Sequence, residues 1–259
     1  MNLKFLTHIF FLFVFLISCD RNLKTNQVSK DGMVFIQGGI FSMGAGDDES
    51  REDEFPSHLV EVSSFWMDIS EVTNKQFREF IDETGYVTTA ERKINWDEIK
   101  EFVPPGTPKP HDSLLEPSSL VFQEIKTDNL QNYSNWWSLI RNANWKQPFG
   151  KDSNIEGKGN HPVIHISWDD AMAYAAEVAD KTGESWRLPT KAEMPKLLET
   201  KCINPAANPF VFPDLEVANF WTKSKGLHQD IFRCSVYTYQ GRVFCRQARN
   251  IPQPFLLVK

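Results

Sequence analysis

Two cysteines that could act together lie near the carboxyl end of the chain, in IFRCSVYTYQGRVFC (231–245). Cys234 and Cys245 are eleven positions apart, and the chain contains only four cysteines. Thiols are nucleophiles and soft metal ligands, so a pair of them can form a two-thiol site. The spacing leaves open whether this pair is a working site or the remnant of one.

Two histidines and two aspartates are the other candidates for chemistry. His161 and His165 would share one face of a strand and could converge on a metal ion. Zinc normally needs three or four protein ligands and no third ligand follows, so a buried, hydrogen-bonded histidine pair is the preferred interpretation. Asp169 and Asp170 look like paired carboxylates, but they fall in the first turn of a predicted helix, where negative charge is stabilising. We interpret both aspartates as structural.

Other catalytic signatures are absent from the sequence. It contains no G-x-S-x-G elbow, no phosphate-binding loop and no dinucleotide fingerprint. The acidic stretch GDDESREDEFP (46–56) lacks the ordered alternation and central glycine of a calcium loop, which favours a solvated loop.

Composition indicates a globular protein and excludes one class of partner. The 259 residues are 41% hydrophobic, enough for one large domain or two small ones. The net charge is −6 and no basic block is present, which argues against binding to nucleic acid.

The amino-terminal segment predicts export and a lipid anchor. Residues 1–18 form a short apolar signal, and Leu16-Ile17-Ser18-Cys19 matches a bacterial lipobox in which Cys19 is lipidated. A simple secretory signal is the alternative. Residues 19–31 would then be a linker, and the protein would lie in the bacterial cell envelope, at the periplasmic or outer membrane, touching the membrane through this lipid only. The three remaining cysteines are an odd number, so at least one is a free thiol or pairs between molecules.

The predicted elements that position these residues are few. Gly38-Gly39 would join two strands of a hairpin in MVFIQGGIFSMG, and HLVEVSSFWM (58–67) would form another strand. Capping boxes begin three predicted helices. They start at Thr73, Ser167 and Thr190, and the first two end at Gly85 and Gly183.

Residues 86–160 show no sustained period but are rich in aromatic residues, which indicates ordered, loop-rich structure. We therefore predict a single α+β domain over 32–259 with little regular secondary structure.

Several segments, taken in order, resemble one enzyme family. They are FIQGGIFSMG (35–44), HLVEV through TGYVTTAE (58–91), PPGTPKPHDSLLEPSSLVF (104–122), YSNWWSLIRNANWKQPFG (133–150), NHPVIHISWDDAMAYA (160–175) and RLPTKAE (187–193). Over about 160 residues the sequence is similar to the formylglycine-generating enzymes, also called sulfatase-modifying factors. The resemblance implies a variant of the C-type lectin-like fold.

The resemblance also implies a chemistry. These enzymes use molecular oxygen to oxidise the cysteine of a C-x-P-x-R segment in an unfolded sulfatase to Cα-formylglycine. Two cysteine thiolates hold copper(I), which suits soft sulfur ligands, and calcium ions are structural. By this resemblance Cys234 is the first copper ligand, and Asn219 and Phe220 in ANFW are the calcium ligands.

The resemblance weakens after Glu193, so residues 194–259 depart from the family pattern. The family's second active-site cysteine falls on Tyr239, and phenol is a poor ligand for copper(I). Cys245 would have to take its place from a position that the family does not use. The abrupt change suggests a frameshift or an internal deletion as a hypothesis.

Three functions therefore compete. The first is a formylglycine-generating oxidase that uses Cys234, Cys245 and copper. The second is a catalytically inactive member that binds unfolded sulfatase segments, and the third is a structural lipoprotein of the envelope. In each case we expect a monomer.

Overall fold

The computed structural model describes residues 32–44, 55–68, 70–122, 137–194, 219–225, 233–239, 242–248 and 258. For Phe102 and for the strands between 219 and 248, the description covers the backbone alone. The described residues mix helices and strands, which agrees with the predicted α+β class.

The first four strands form two small antiparallel sheets. Strand β1 (Met33–Ile36) pairs with β4 (Phe65–Asp68), and β2 (Gly39–Met43) pairs with β3 (His58–Val62). The predicted hairpin at Gly38-Gly39 is therefore wrong, because the strands on either side of the glycines belong to different sheets. The single strand predicted for 58–67 is likewise two strands in two sheets.

Gly38 is needed for close backbone approach rather than for a hairpin turn. A Cβ atom at this position would lie 2.5 Å from the Ser64 amide nitrogen and 2.6 Å from the Ser63 carbonyl carbon, with the Val62 carbonyl oxygen closer still. The Gly38 N–H donates to Ser64 Oγ at 2.9 Å. The crossing from the first sheet to the second therefore leaves no room for a side chain.

The two long helices begin and end where the sequence predicts. Helix α1 (Asn74–Thr84) and helix α3 (Trp168–Thr182) both start with a complete capping box, at Thr73 and Ser167. Both end at a glycine in the left-handed conformation, with φ of 65° and 68°. A short helix α2 (Trp96–Ile99) lies between them.

The stretch between α1 and α3 is ordered but irregular where it is described. Three 3₁₀ turns cover Thr89–Glu91, Lys100–Phe102 and Asp112–Leu114. Strand β5 (Ser118–Phe122) pairs antiparallel with β6 (Trp137–Arg141). Ser119 and Val121 face inward from β5 and are buried, so this hairpin packs one face on the domain.

The remaining strands form a separate three-stranded sheet. Its order is β7 (Asn219–Lys225), β8 (Arg233–Tyr239) and β9 (Arg242–Ala248), all antiparallel. This sheet carries the cysteine pair.

The third predicted helix is described only at its start. Glu193 accepts from the Thr190 amide at 2.6 Å, and the Glu193 amide donates to Thr190 Oγ1 at 3.3 Å, which forms the predicted capping box. Met194 is helical and fully buried, whereas Leu197 and Leu198 lie outside the described residues.

Two hydrophobic clusters stabilise the domain. In the larger one, the Phe77 ring lies edge-on to Trp145 at 5.4 Å and stacks on Tyr174 at 5.8 Å. This cluster joins α1 to α3. The smaller cluster lies under the first sheet and consists of Val34, Ile36, Val62, Phe65, Met67, Met194 and Val258.

Val258 ties the end of the chain to this second cluster. It exchanges two backbone hydrogen bonds with Arg187, of 3.0 and 2.8 Å, and forms an antiparallel bridge with Met67. Its side chain is fully buried. One residue from the region that departs from the family pattern thus completes the core.

None of the helices in the described part of the chain is long and apolar enough to cross a membrane.

Replacing Gly38 by alanine should destabilise the domain, because backbone atoms that cannot move easily occupy the space of the new methyl group. We expect a loss of about 1–3 kcal/mol in the free energy of unfolding, measured by chemical denaturation. Gly159→Ala is the matched control, since its Cβ would meet only Lys75 Cβ, at 4.0 Å. Equal stability of the two variants would contradict the close approach at Gly38.

Candidate functional site

The register of the three-stranded sheet brings the two cysteines to one face. Cys234 of β8 lies opposite Gln247 of β9, and Cys245 lies opposite Val236. Positions 234 and 236 share a face because they are two residues apart on one strand. Cys234 and Cys245 are therefore diagonal neighbours on that face, across adjacent strands.

Tyr239 falls on the other face. It is five residues from Cys234 on the same continuous strand, and it lies opposite Arg242 at the end of the ladder. An odd separation along a strand changes the face. The family position for a second thiol is thus on the opposite side from Cys234, whereas Cys245 is on the same side.

The predicted calcium ligands lie in the strand next to this hairpin. Asn219 is opposite Tyr237, and Phe220 is opposite Val236. Phe220, Val236 and Cys245 therefore occupy one row across the three strands. Calcium binding by Asn219 and Phe220 stays a prediction.

One sequence prediction, lipidation at Cys19, falls outside the described residues, and so does Cys202, the fourth cysteine of the chain. Within the part of the chain that the structure describes, no three histidine, cysteine, aspartate or glutamate side chains are grouped so that they could hold a metal ion.

His165 is a buried, fully hydrogen-bonded residue. Its Nε2 lies 2.9 Å from the Pro148 carbonyl oxygen and its Nδ1 lies 2.9 Å from Ser119 Oγ. A carbonyl only accepts, so Nε2 carries the proton and Nδ1 accepts from the hydroxyl of Ser119 when the ring is neutral. The prediction of a structural histidine is confirmed for His165, while His161 is half-buried in a turn rather than on a strand.

The surroundings of His165 favour its neutral form. Burial lowers the pKa of this imidazole, and the hydrogen bond to Pro148 works in the opposite direction without cancelling the effect. The backbone at His165 is left-handed, with φ of 62°, which few residues other than glycine adopt without cost. Through its two hydrogen bonds, the ring holds Ser119 of β5 and the backbone at Pro148 against the segment that precedes α3.

Asp170 is a carboxylate with several hydrogen-bond donors around it, and its side chain is fully buried. Oδ1 accepts from the Tyr86 hydroxyl at 3.0 Å and from the Thr89 amide at 2.9 Å. Oδ2 accepts from the Ser167 amide at 2.8 Å. These contacts confirm the interpretation of Asp170 as structural, and Asp169 beside it is exposed.

Charge around Asp170 also acts on Tyr86. Burial and the nearby negative charge of Asp170 raise the pKa of the Tyr86 hydroxyl to about 12, so it remains a donor at neutral pH. Arg92 lies 3.6 Å from Asp170 Oδ1 and 5.9 Å above the Tyr86 ring. The half-exposed guanidinium thus partly neutralises the buried carboxylate.

Sequence reasoning missed the partners of Asp170, but one signal for them was present. Thr88-Thr-Ala-Glu91 has the pattern of a capping box, and Glu91 accepts from the Thr88 amide at 3.2 Å and hydroxyl at 2.8 Å. That turn presents Thr89 to Asp170. Nothing in the local sequence pointed to Ser119 or Pro148 as partners of His165.

A second ion pair holds the RLPTKAE segment. Arg187 donates to both carboxylate oxygens of Glu193, at 2.8 and 2.7 Å. Burial tends to raise the pKa of Glu193, but the hydrogen bonds from Arg187 and Thr190 outweigh it and the pKa is lowered. The charged pair fixes the start of the third helix beside Val258.

Comparison with known proteins identifies the family. Residues 20–197 match the family model of the sulfatase-modifying factor enzyme 1-like domain, FGE-sulfatase. The match covers more than half of the chain. This chain belongs to the sulfatase-modifying factor family.

Individual relatives agree with the family. The chain is 38% identical to the formylglycine-generating enzyme of Mus musculus over 164 residues and 39% identical to that of Thermomonospora curvata over 177 residues. It is 36% identical over 183 residues to the inactive C-alpha-formylglycine-generating enzyme 2 of Mus musculus. These matches cover 62%, 67% and 70% of this chain, and 38%, 50% and 51% of the relatives.

The chain thus aligns with about half or less of the length of these relatives. The family match ends at residue 197, before the sheet that carries Cys234 and Cys245. The activity of the whole relatives is therefore a matter for proposal here.

Asp170→Asn should destabilise the domain, because both carboxylate oxygens accept hydrogen bonds. In asparagine an amide nitrogen, which can only donate, replaces one of them. We expect a loss of about 2–4 kcal/mol in the free energy of unfolding, measured by denaturant titration. Asp169→Asn removes the same charge from the same helical turn at an exposed position and should cost at most about 1 kcal/mol. Equal losses would show that helix-dipole effects, not the buried contacts, dominate.

Lowering the pH should destabilise the domain through His165. The folded state lowers the pKa of this ring, so its contribution is complete above about pH 6.5, the usual value, and is lost as the pH falls towards the lowered pKa. Denaturant midpoints compared between about pH 7.5 and about pH 5.5 measure this loss.

The control for this measurement is His165→Asn, since asparagine tolerates the left-handed backbone and carries no titrating group. This variant should be less stable at neutral pH but should lose less stability on acidification. An unchanged slope in His165→Asn would refute the assignment.

Proposed function

We propose that this protein is a formylglycine-generating oxidase of the sulfatase-modifying factor family. Its substrate would be the cysteine of a C-x-P-x-R segment in an unfolded sulfatase, which is oxidised to Cα-formylglycine with molecular oxygen. The supporting observation is the register that places Cys234 and Cys245 on one face of β8 and β9.

The donor set suits copper(I). Two soft thiolates are ligands that this ion prefers. Diagonal positions on antiparallel strands have Cα atoms about 7–8 Å apart, which is beyond the usual span of a disulfide and leaves the thiols for metal binding. Bound copper(I) would supply the activation of oxygen for this chemistry.

None of the positions that the ladder pairs on the thiol face is charged. The other positions on it are Phe220, Val236, Thr238, Val243 and Gln247. Uncharged neighbours leave the thiolates as the electron-rich groups of the face. In this arrangement Cys245 takes the role that Tyr239 cannot take, because Tyr239 lies on the other face.

The second candidate is a catalytically inactive protein that binds unfolded sulfatase segments. Two observations favour it: the family position for the second thiol is Tyr239, and the chain is 36% identical to a relative named as inactive. It needs affinity for the peptide but no thiol pair.

The proposal also covers the location and the fold of the protein, as the sequence predicts them. A lipid on Cys19 would hold a monomeric protein at the bacterial cell envelope, with the domain in a C-type lectin-like arrangement. Structural calcium would be bound by the side chain of Asn219 and the carbonyl of Phe220.

Replacing either cysteine of the pair should strongly weaken copper binding. Copper binding is measured in competition with a colorimetric copper(I) chelator, and the full-length protein should bind one ion. Losing a residue that only supports a metal ligand typically costs roughly 10–100-fold in affinity. Cys234→Ser and Cys245→Ser each remove a ligand itself, so each should weaken binding by more than this. Cys202→Ser is the control and should bind like the parent. The rate at which a C-x-P-x-R peptide is converted, monitored through its change in mass, should fall in the variants that bind copper more weakly.

The inactive alternative predicts a different result. The peptide would bind with equal affinity to the parent and to Cys234→Ser, and no mass change would occur with copper and oxygen present. Copper binding that depends on Cys202 instead of Cys245 would also refute the proposed thiol pair.

A further inference from the structure

Positive charge is concentrated in the three-stranded sheet. The sequences of β7, β8 and β9 are NFWTKSK, RCSVYTY and RVFCRQA, which contain five lysines and arginines and no aspartate or glutamate. The whole chain carries a net charge of −6. The sheet is thus a local exception to an acidic protein.

The register sorts this charge onto one face. Four cations share one face of the ladder: Arg233 on β8, Arg242 and Arg246 on β9, and Lys225 on β7. This set of positions, called here the cationic face, is the side opposite Cys234 and Cys245. Among the positions paired by the ladder the thiol face has no charge, and Lys223 lies in the irregular part of β7 that the ladder assigns to neither face.

Three of these cations are neighbours. Lys225 is the direct cross-strand partner of Arg233, and Arg246 is diagonal to Arg233 on the other side. Like charges directly opposite each other destabilise a sheet. The described helices and strands outside this sheet make at most slight contact with it, so none of them contributes a packed acidic surface to offset the charge. Phosphate groups are anions that complement such a cluster.

Aromatic residues occupy the same face. They are Trp221, Tyr237, Tyr239 and Phe244. Tryptophan and tyrosine favour the boundary between water and lipid, where a ring can be apolar at one end and wet at the other. Arginine pairs with phosphate through two parallel hydrogen bonds.

We propose that the cationic face binds the phosphate headgroups of an anionic phospholipid surface, a second membrane contact that departs from the expectation of contact through the Cys19 lipid alone. Its cations lie at both ends of the sheet and on all three strands, over roughly 20 Å by 10 Å. A membrane presents phosphates as a plane, which matches such a spread better than the single line of phosphates in a nucleic acid strand. The inference concerns the face away from the cysteines and does not depend on copper binding.

The test is sedimentation of the full chain with vesicles of phosphatidylcholine alone and vesicles that also contain phosphatidylglycerol. Any lipid anchor or apolar leader contributes to both, so the ratio of the two partition coefficients isolates the headgroup charge. The ratio should favour phosphatidylglycerol and fall at high salt. Removing Lys225, Arg233 and Arg246 together as glutamines should lower this ratio by about a hundred-fold, at roughly five-fold for each cation.

A matched variant separates the face from net charge. Lys75, Lys151 and Lys158 are exposed and lie elsewhere on the domain, so their replacement by glutamine removes the same charge and should change the ratio little. Arg233→Lys with Arg246→Lys keeps the charge and should keep most of the binding, which distinguishes loss of contact from loss of folding.

Several results would overturn the proposal. They are no preference for phosphatidylglycerol, an equal loss in both triple variants, or binding to single-stranded oligothymidylate without a preference between the vesicles. Full competition by inorganic phosphate would assign the face to a small oxyanion and would equally overturn it.

Discussion

The carboxylate of Asp170 is the constraint on which the main core depends. It is fully buried, and its donors come from positions up to 84 residues earlier in the chain. A buried charge of this kind is tolerated only when its oxygens are satisfied, so the turn at Thr89 and helix α3 must be in place together. Their docking holds α3 beside α1, where Phe77, Trp145 and Tyr174 pack. The same carboxylate caps the helix, so local and long-range structure depend on one side chain.

The second core extends the fold beyond the family match. The match ends at residue 197, yet Val258 is fully buried beside Met67 and pairs with the backbone of Arg187. The guanidinium of the same Arg187 donates to the carboxylate of Glu193. The RLPTKAE segment therefore connects the family-like part of the chain to its last described residue. Departure from the family pattern after Glu193 does not remove the packing partner that this cluster needs.

The three-stranded sheet separates two kinds of chemistry by the alternation of a strand. Among the positions paired by the ladder, one face holds both cysteines and no charged residue, and the other holds four cations and four aromatic residues. A register shifted by one residue would separate Cys234 from Cys245 and divide the cations between the faces. Both proposals therefore depend on the same ladder and concern opposite faces of it. The proposal for the thiol pair concerns the oxidation of a sulfatase cysteine, while the proposal for the cationic face concerns binding to a membrane surface.

The sequence by itself determined the local structure and the family. Capping boxes at Thr73 and Ser167 and the glycines at 85 and 183 marked both long helices correctly, because caps act between residues three or four apart. It also indicated that Asp170 and His165 are structural. Only the tertiary structure decided that Gly38-Gly39 joins two sheets, that Ser119 and Pro148 hold His165, and that Val258 completes a core. Those contacts join residues far apart in the chain, and no local pattern encodes which distant partner fills a space or satisfies a donor.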